Sequence, residues 1–167
     1  MPHLAVIALG SNLGDRLVNL QAACEALRSI ALPHTLRQSS VYQTEPVACP
    51  DDSPDFYNAV VSFHFDGAAE DLHAHTRAIE LKLGRKRSTI NAPRIIDMDL
   101  LLFGDHIINT PDLQIPHPRL HLRRFVLEPL AEIHSEILIP TQQFSIERLL
   151  QQLDSREPAL QNVTCEW

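Results

Sequence analysis

Runs of apolar residues with strand or helix spacing divide the first two thirds of the chain into ordered elements. The run HLAVIALG (3–10) ends in glycine and predicts a buried strand. A helix follows, because apolar residues recur on one face until Pro33 stops the pattern: Leu17, Leu20, Cys24, Leu27 and Ile30. LRQSSVYQT (36–44) indicates a second strand, and the alternating YNAVVSFHF (57–65) predicts a third.

A second helix and a fourth strand complete this pattern. The helix is indicated by apolar residues at helical spacing and by a glycine where it ends: Leu72, Ile79, Leu83 and Gly84. The apolar PRIIDMDLLLFG (93–104) predicts the strand. The order strand, helix, strand, strand, helix, strand predicts an α+β fold, namely a ferredoxin-like βαββαβ antiparallel sheet with both helices packed on one face. The rest is expected to form a C-terminal extension with an amphipathic helix near 145–153.

Composition restricts the class of protein. The 167 residues (1–167) fit a single domain, and no repeat or linker divides them. A formal net charge of −7 argues against a general nucleic-acid binder, which needs a basic face. The apolar runs are far shorter than the ~20 residues of a membrane-spanning helix. Cys24, Cys49 and Cys165 are odd in number and lack a CxxC spacing, so reduced thiols and a cytoplasmic protein are expected.

Asp97 and Asp99 interrupt the apolar run 93–104. Side chains alternate along a strand, so both carboxylates lie on one face, with Cα atoms roughly 6.6 Å apart. Such a pair suits Mg²⁺, whose coordination shell substrate phosphates and water complete. Leu101 and Phe103 continue the same face, so a lined pocket is expected there. Two solvated surface charges are the alternative interpretation.

Arginines are clustered near this pair and again later in the chain: Arg85, Arg87, Arg94, Arg119, Arg123 and Arg124. Guanidinium groups bind phosphates bidentately, so carboxylates with Mg²⁺ and nearby arginines together predict a nucleoside triphosphate site. Ordinary surface ion pairs are the alternative. The glycine-rich P-loop motif that ends in GKS or GKT is absent from the sequence, so a P-loop enzyme is not expected.

Six segments carry a more specific signal through their order along the chain: ALGSNLGD (8–15), SSVYQTEPV (39–47), DFYNAVV (55–61), IELKLGRKR (79–87), APRIIDMDLLLFG (92–104) and IPHPRLHLRRFVLEPL (115–130). Together they resemble the 6-hydroxymethyl-7,8-dihydropterin pyrophosphokinases of folate biosynthesis. The resemblance implies an enzyme that moves the β,γ-pyrophosphoryl group of ATP to the hydroxymethyl oxygen of the pterin and releases AMP. It also implies two Mg²⁺ ions, with ATP as co-substrate.

The resemblance implies a role for individual residues. Asp97 and Asp99 match the metal ligands and, with Arg85 and Arg94, the catalytic residues. ATP contacts are implied for Glu80, Arg85, Arg87, Arg94, Leu100, His117 and Arg123. Pterin contacts are implied for Thr44, Val47, Phe56, Asn58 and Phe125, of which the two phenylalanines enclose the ring and the asparagine binds its edge.

Four positions depart from the family's pattern. Asn91 stands where many members have tryptophan, in a loop that is one residue shorter. Phe56 replaces a common tyrosine but keeps the stacking face, and Pro118 replaces an aromatic residue found in some relatives. Glu45 stands where a second proline can occur. None of the four touches the metal pair.

Two other functions are compatible with parts of the sequence. A nucleotidyltransferase or phosphatase could use the same aspartate pair, and would not need Asn58 or the aromatic residues. A ferredoxin-like regulatory module would bind a ligand without turnover. The ordered segments favour the pyrophosphokinase, whose partners are two small-molecule substrates, ATP and 6-hydroxymethyl-7,8-dihydropterin. Neither nucleic acid nor a membrane is expected as a partner, and the protein is expected to be a monomer.

Overall fold

The computed structural model describes residues 1–45, 54–84, 94–153 and 160–167. Within these ranges the α-helices are α1 Arg16–Arg28, α2 Ala69–Lys82, α3 Arg124–His134 and α4 Ile146–Gln151. The strands are β1 His3–Ser11, β2 Arg37–Gln38, β3 Val41–Thr44, β4 Phe56–Phe65, β5 Asp97–Phe103, β6 Ile108–Asn109, β7 Gln114–Ile115 and β8 Gln161–Thr164. A short 3-10 helix, Leu120–Leu122, precedes α3. None of the described helices is long and apolar enough to cross a membrane.

The main sheet is antiparallel and has the order β5-β1-β4-β3-β8, with β2 also pairing with β4. The part of the sheet with the order β5-β1-β4-β3 has the strand order expected of a ferredoxin-like sheet. The predicted α+β fold is therefore confirmed. Apolar residues of α1 and α2 pack on one face of the sheet: Leu20, Ala23, Leu27, Ala69 and Leu72. The C-terminal extension contributes α3 and α4 to the other face and β8 to the edge beside β3. Both faces of the sheet are therefore covered, and each has its own apolar core.

An irregularity in β5 corrects one expectation from the sequence. The pairing of β5 with β1 shifts register so that Leu101 is an additional residue between two paired positions. Such a bulge reverses the alternation of the residues that follow it. Leu101 stays on the side of α3 and α4, while Phe103 packs into the core beneath α1 and α2. The prediction that Phe103 continues the face of Asp97 and Asp99 was therefore wrong, whereas Leu101 does continue it, and Leu102 lies on the same side.

The Glu132 carboxylate anchors α3 to the sheet. Glu132 accepts hydrogen bonds from the backbone N–H of Ser40 (2.8 Å), the Ser40 hydroxyl (2.6 Å) and the Tyr42 hydroxyl (3.0 Å). Burial, together with the adjacent Glu132 carboxylate, raises the pKa of Tyr42 to about 12. These bonds fix the C-terminal half of α3 against the sheet beside β3.

Candidate active site

One face of the sheet forms the floor of a cavity of about 380 Å³. Asp97 and Asp99 enter it from β5, and Asn58 enters from β4. β1 lies between them, with Gly10 paired to both Asp97 and Asn58, and Ala8 paired to Asp99. Adjacent strands are about 4.8 Å apart, so the carboxylates and the amide start from strands about 10 Å apart. Because the residues between them are small, a continuous channel joins the two ends of the floor.

The walls of the cavity come from the ends of other elements. Most of the residues predicted for the site meet here: Thr44, Phe56, Asn58, Arg94, Asp97, Asp99, His117, Arg123 and Phe125. Three predicted residues, Val47, Arg85 and Arg87, lie outside the described residues. Arg119 and Leu122 also line the cavity, and neither was predicted as a site residue. The only signal for Arg119 was its place in the second arginine cluster.

The two aspartates form the acidic end of the cavity. Arg94 donates a hydrogen bond from Nη1 to Asp97 Oδ2 at 2.9 Å, and both side chains are about three quarters buried. In the described part of the chain, no group of three or more His, Cys, Asp or Glu side chains could hold a metal. A cation here would thus take two protein carboxylates and find its other oxygens elsewhere, which is how Mg²⁺ binds with substrate phosphates. The donor set fits this ion.

His117 and two arginines form the basic wall opposite. Burial, with the Arg123 and Arg119 guanidinium groups, lowers the pKa of His117 below its ordinary value. The Arg119 backbone N–H donates to His117 Nδ1 at 3.2 Å, so the neutral ring carries its proton on Nε2. Burial also lowers the pKa of Arg123, which stays charged because a guanidinium starts from a very high value. This wall therefore offers hydrogen-bond donors and positive charge to an anion.

The Asn58 amide is fixed at the other end of the floor. Asn58 is 7% exposed and donates from Nδ2 to Thr44 Oγ1 at 2.6 Å. The amide therefore presents its oxygen and its second N–H in a fixed orientation, which is what a planar ring with adjacent donors and acceptors requires. Phe56 and Phe125 line the cavity around it and supply apolar faces for such a ring.

Replacement of Gly10 by alanine is expected to weaken binding of the pterin that the sequence resemblance implies, without unfolding the protein. A Cβ at this position would stand 3.2 Å from Asn58 Oδ1 and 3.6 Å from Phe56 Cδ1. Displacing one hydrogen bond costs about 1 kcal/mol, so the KM for the pterin should rise about five- to tenfold and the KM for ATP should change little. Steady-state kinetics measures both constants. Gly67→Ala is the control, since its Cβ meets Phe65 away from this cavity. An unchanged KM for the pterin would show that the pterin does not bind at the Asn58 end of this floor.

A second cavity of about 340 Å³ adjoins the first, and Asp99 and His117 line both. Leu100, predicted to contact ATP, lies in it. Other lining residues were not predicted as site residues: His73, Arg77, Asp112, Leu113 and Gln114. They come from α2 and from the segment leading into β7, and no local pattern in the sequence connects these two parts of the chain.

Glu80 lies beneath the second cavity without lining it. It is 2% exposed and accepts a hydrogen bond from the backbone N–H of Met98 at 3.0 Å, while Arg77 Nη1 lies 3.5 Å from its other carboxylate oxygen. These contacts tie α2 to β5 between the two aspartates. A direct contact between Glu80 and ATP stays a prediction.

Comparison with known proteins gives one consistent family. Residues 6–135 match the family described as 7,8-dihydro-6-hydroxymethylpterin-pyrophosphokinase (HPPK). A relative from Haemophilus influenzae is 37% identical over 91% of this chain and 94% of its own length. One from Bacillus subtilis is 41% identical over 82% of this chain and 81% of its own length. Both are named 2-amino-4-hydroxy-6-hydroxymethyldihydropteridine pyrophosphokinase.

A solved structure agrees at the level of the fold. The HPPK-DHPS of Plasmodium falciparum superposes with a TM-score of 0.71 and 16% identity, over 90% of this chain. This chain spans 44% of the length of that protein. The family match, which covers more than half of the chain, and the two bacterial relatives confirm the resemblance seen in the sequence. The chain belongs to the 6-hydroxymethyl-7,8-dihydropterin pyrophosphokinase family of folate biosynthesis.

Proposed function

We propose that this pyrophosphokinase carries out its reaction on the floor formed by β5, β1 and β4. The β,γ-pyrophosphoryl group of ATP passes to the hydroxymethyl oxygen of 6-hydroxymethyl-7,8-dihydropterin, and AMP leaves. The observation that carries this proposal is that Asp97, Asp99 and Asn58 share one face, separated by Ala8 and Gly10. A pterin bound at Asn58 can extend its hydroxymethyl group across β1 toward the aspartates.

Asp97 and Asp99 would hold two Mg²⁺ ions together with the phosphate oxygens of ATP. When bound, such ions neutralise phosphate charge and orient the attacking and leaving oxygens. Arg94 already lies 2.9 Å from Asp97 Oδ2, so it can exchange this bond for one to a phosphate oxygen when the carboxylate binds a cation. The arginine then stabilises the negative charge of the transferring group.

The basic wall would bind the triphosphate on its other side. Neutral His117 donates from Nε2, and Arg123 donates as a charged fork, which suits a phosphate oxygen pair. We extend the predicted set to Arg119, whose side chain lines the same cavity. Phosphoryl transfer needs little covalent chemistry from the protein, so fixed donors of this kind supply much of the rate acceleration.

The nucleoside would occupy the second cavity. The two cavities meet at Asp99 and His117, so a triphosphate that crosses there has its transferred end above the aspartates and its nucleoside beside Leu100. Within the first cavity, Phe56 and Phe125 would enclose the pterin ring and Asn58 would bind its edge. The predicted backbone contact of Thr44 belongs to the same end. The contact predicted for Val47 lies outside the described residues.

We also infer a monomeric, cytoplasmic enzyme. The described residues of this one chain already form the floor and the walls of the first cavity, which is compatible with a monomer. Cys24 and Cys165 are free thiols, and burial raises the pKa of Cys24 to about 11, which keeps it protonated and unreactive. Free thiols are usual in the reducing cytoplasm.

A count of bound metal ions tests the metal site directly. Mn²⁺ can replace Mg²⁺ as a paramagnetic probe, titrated in the presence of a non-hydrolysable ATP analogue and followed by electron paramagnetic resonance. The wild-type protein should bind two Mn²⁺ per chain, and the double variant Asp97→Asn, Asp99→Asn should lose at least one. Asp105→Asn, an exposed aspartate in the turn after β5, is the control and should bind two. Two bound ions in the double variant would contradict the assignment.

A further inference from the structure

We propose that Asn12 is a positioning residue that couples the pterin end of the active site to its metal end. This inference rests on the proposed function, because it concerns how the two ends of that site are held together. Asn12 lines neither of the two cavities described above.

The hydrogen bonds of Asn12 reach two distant parts of the chain. The residue is fully buried. Its Oδ1 accepts from the backbone N–H of Arg94 at 2.7 Å, and its own backbone N–H donates to the Arg94 carbonyl at 3.0 Å. Its Nδ2 donates to the Pro54 carbonyl at 3.2 Å. Both functional ends of one amide thus bind segments 82 and 42 residues away.

Each of these segments carries residues of one end of the site. Pro54 lies two residues before Phe56, at the start of the strand that holds Asn58. Arg94 pairs with Asp97 at the start of β5. A displacement of the Pro54 segment or of the Arg94 segment is therefore transmitted to the other segment through the Asn12 side chain. Asn12 itself is held in place because it directly follows β1.

The local turn does not depend on this side chain. Asn19 Nδ2 donates to the Leu13 carbonyl and to Ser11 Oγ, and Asp15 caps α1 by accepting from the Val18 N–H. Turn-forming asparagines usually bond their own backbone a few residues on. The side-chain bonds of Asn12 that the structure describes go instead to distant segments, which indicates a role beyond forming the turn.

Only a side chain of the length of asparagine, with both an acceptor and a donor at its end, can keep the hydrogen bonds to Arg94 and to Pro54. Aspartate keeps the acceptor for the Arg94 N–H and loses the donor to Pro54. Alanine loses both. Asn12→Asp thus separates the two connections, and a comparison with Asn12→Ala distinguishes loss of coupling from loss of local structure.

Calorimetric titration measures the coupling. The pterin is titrated with and without saturating α,β-methylene-ATP and Mg²⁺, and the ratio of the two dissociation constants is the coupling factor. The wild-type protein should show a factor well above one. In Asn12→Asp the factor should fall at least fivefold while the affinity for the ATP analogue alone changes less than threefold. In Asn12→Ala both the coupling factor and the affinity for the ATP analogue should fall.

Asn19→Ala is the matched control, because it removes bonds within the same turn. Its coupling factor should equal that of the wild type. Equal factors in Asn12→Asp and the wild type, or an equal loss in Asn19→Ala, would overturn the proposal, as would a wild-type factor of one. Thermal melts establish that each variant is folded. AMP formation by the wild type tests the proposed function separately, so the two can fail independently.

Discussion

Asp97→Asn is expected to lower kcat for pyrophosphoryl transfer by about 10²- to 10³-fold while the protein stays folded. Metal ions stabilise several kcal/mol of transition-state charge, and a loss of about 3–4 kcal/mol corresponds to this factor. Asparagine has nearly the same shape and can still accept a hydrogen bond from Arg94. Because Arg94 keeps a hydrogen-bond acceptor and neither side chain is fully buried, the loss of this ion pair should not unfold the protein. AMP release at saturating ATP and pterin, over a range of Mg²⁺ concentrations, measures the effect.

The Mg²⁺ series separates two roles of Asp97. If the carboxylate only binds metal, excess Mg²⁺ should recover part of kcat. If it also accepts the proton of the hydroxymethyl group, which we put forward as a hypothesis, kcat should stay low when nucleotide affinity is restored. Asp105→Asn should retain wild-type kcat throughout. Wild-type kcat in Asp97→Asn at ordinary Mg²⁺ concentrations would show that this carboxylate is not a required ligand.

Asn58→Leu is expected to raise the KM for the pterin about 100-fold and to leave the KM for ATP nearly unchanged. The substitution removes the hydrogen bonds of the amide and leaves polar atoms of the bound ring without partners, which together costs about 3 kcal/mol. Leucine is close to asparagine in shape, so β4 should keep its pairing with β1. Initial rates with each substrate varied in turn give both constants.

Tyr57→Phe provides the control for this strand. Tyr57 is the neighbour of Asn58 on β4 and packs against the core on the opposite face of the sheet, so its hydroxyl is remote from the pterin floor. Its removal should leave both KM values within about twofold of the wild type, as is usual for changes away from a site. If Asn58→Leu raised the KM for ATP and left the KM for the pterin unchanged, the amide would lie at the nucleotide end of the site instead.

Periodicity was sufficient to predict the sheet and its first two helices because those elements each bury one regular face. The alternation of YNAVVSFHF predicted β4 and placed Asn58 opposite Ala59, as the structure does. Strand β8 was not predicted. Its four residues are mostly exposed and have no apolar alternation, so its structure depends on pairing with β3, which no local signal encodes. The reversed direction of the Phe103 side chain was not predicted because a bulge depends on how two strands pair, which the sequence of one strand does not show.

Some site residues could be predicted from the sequence, and others could not. Asp97 and Asp99 could be found because carboxylates in an apolar strand are costly to bury without a function. The roles of Gly10 and Ala8 could not be predicted, since they follow from which residues lie opposite each other on adjacent strands. The same holds for Asn12, whose hydrogen-bond partners are far away in the sequence.

Identification of the nucleotide product shows whether the protein transfers a pyrophosphoryl group. Purified protein is mixed with ATP, Mg²⁺ and 6-hydroxymethyl-7,8-dihydropterin, and the nucleotides and pterins are separated by chromatography. We expect AMP and pterin diphosphate in equal amounts, with AMP formed only when the pterin is present. ADP as the product, or no turnover by protein shown to be folded, would contradict this expectation.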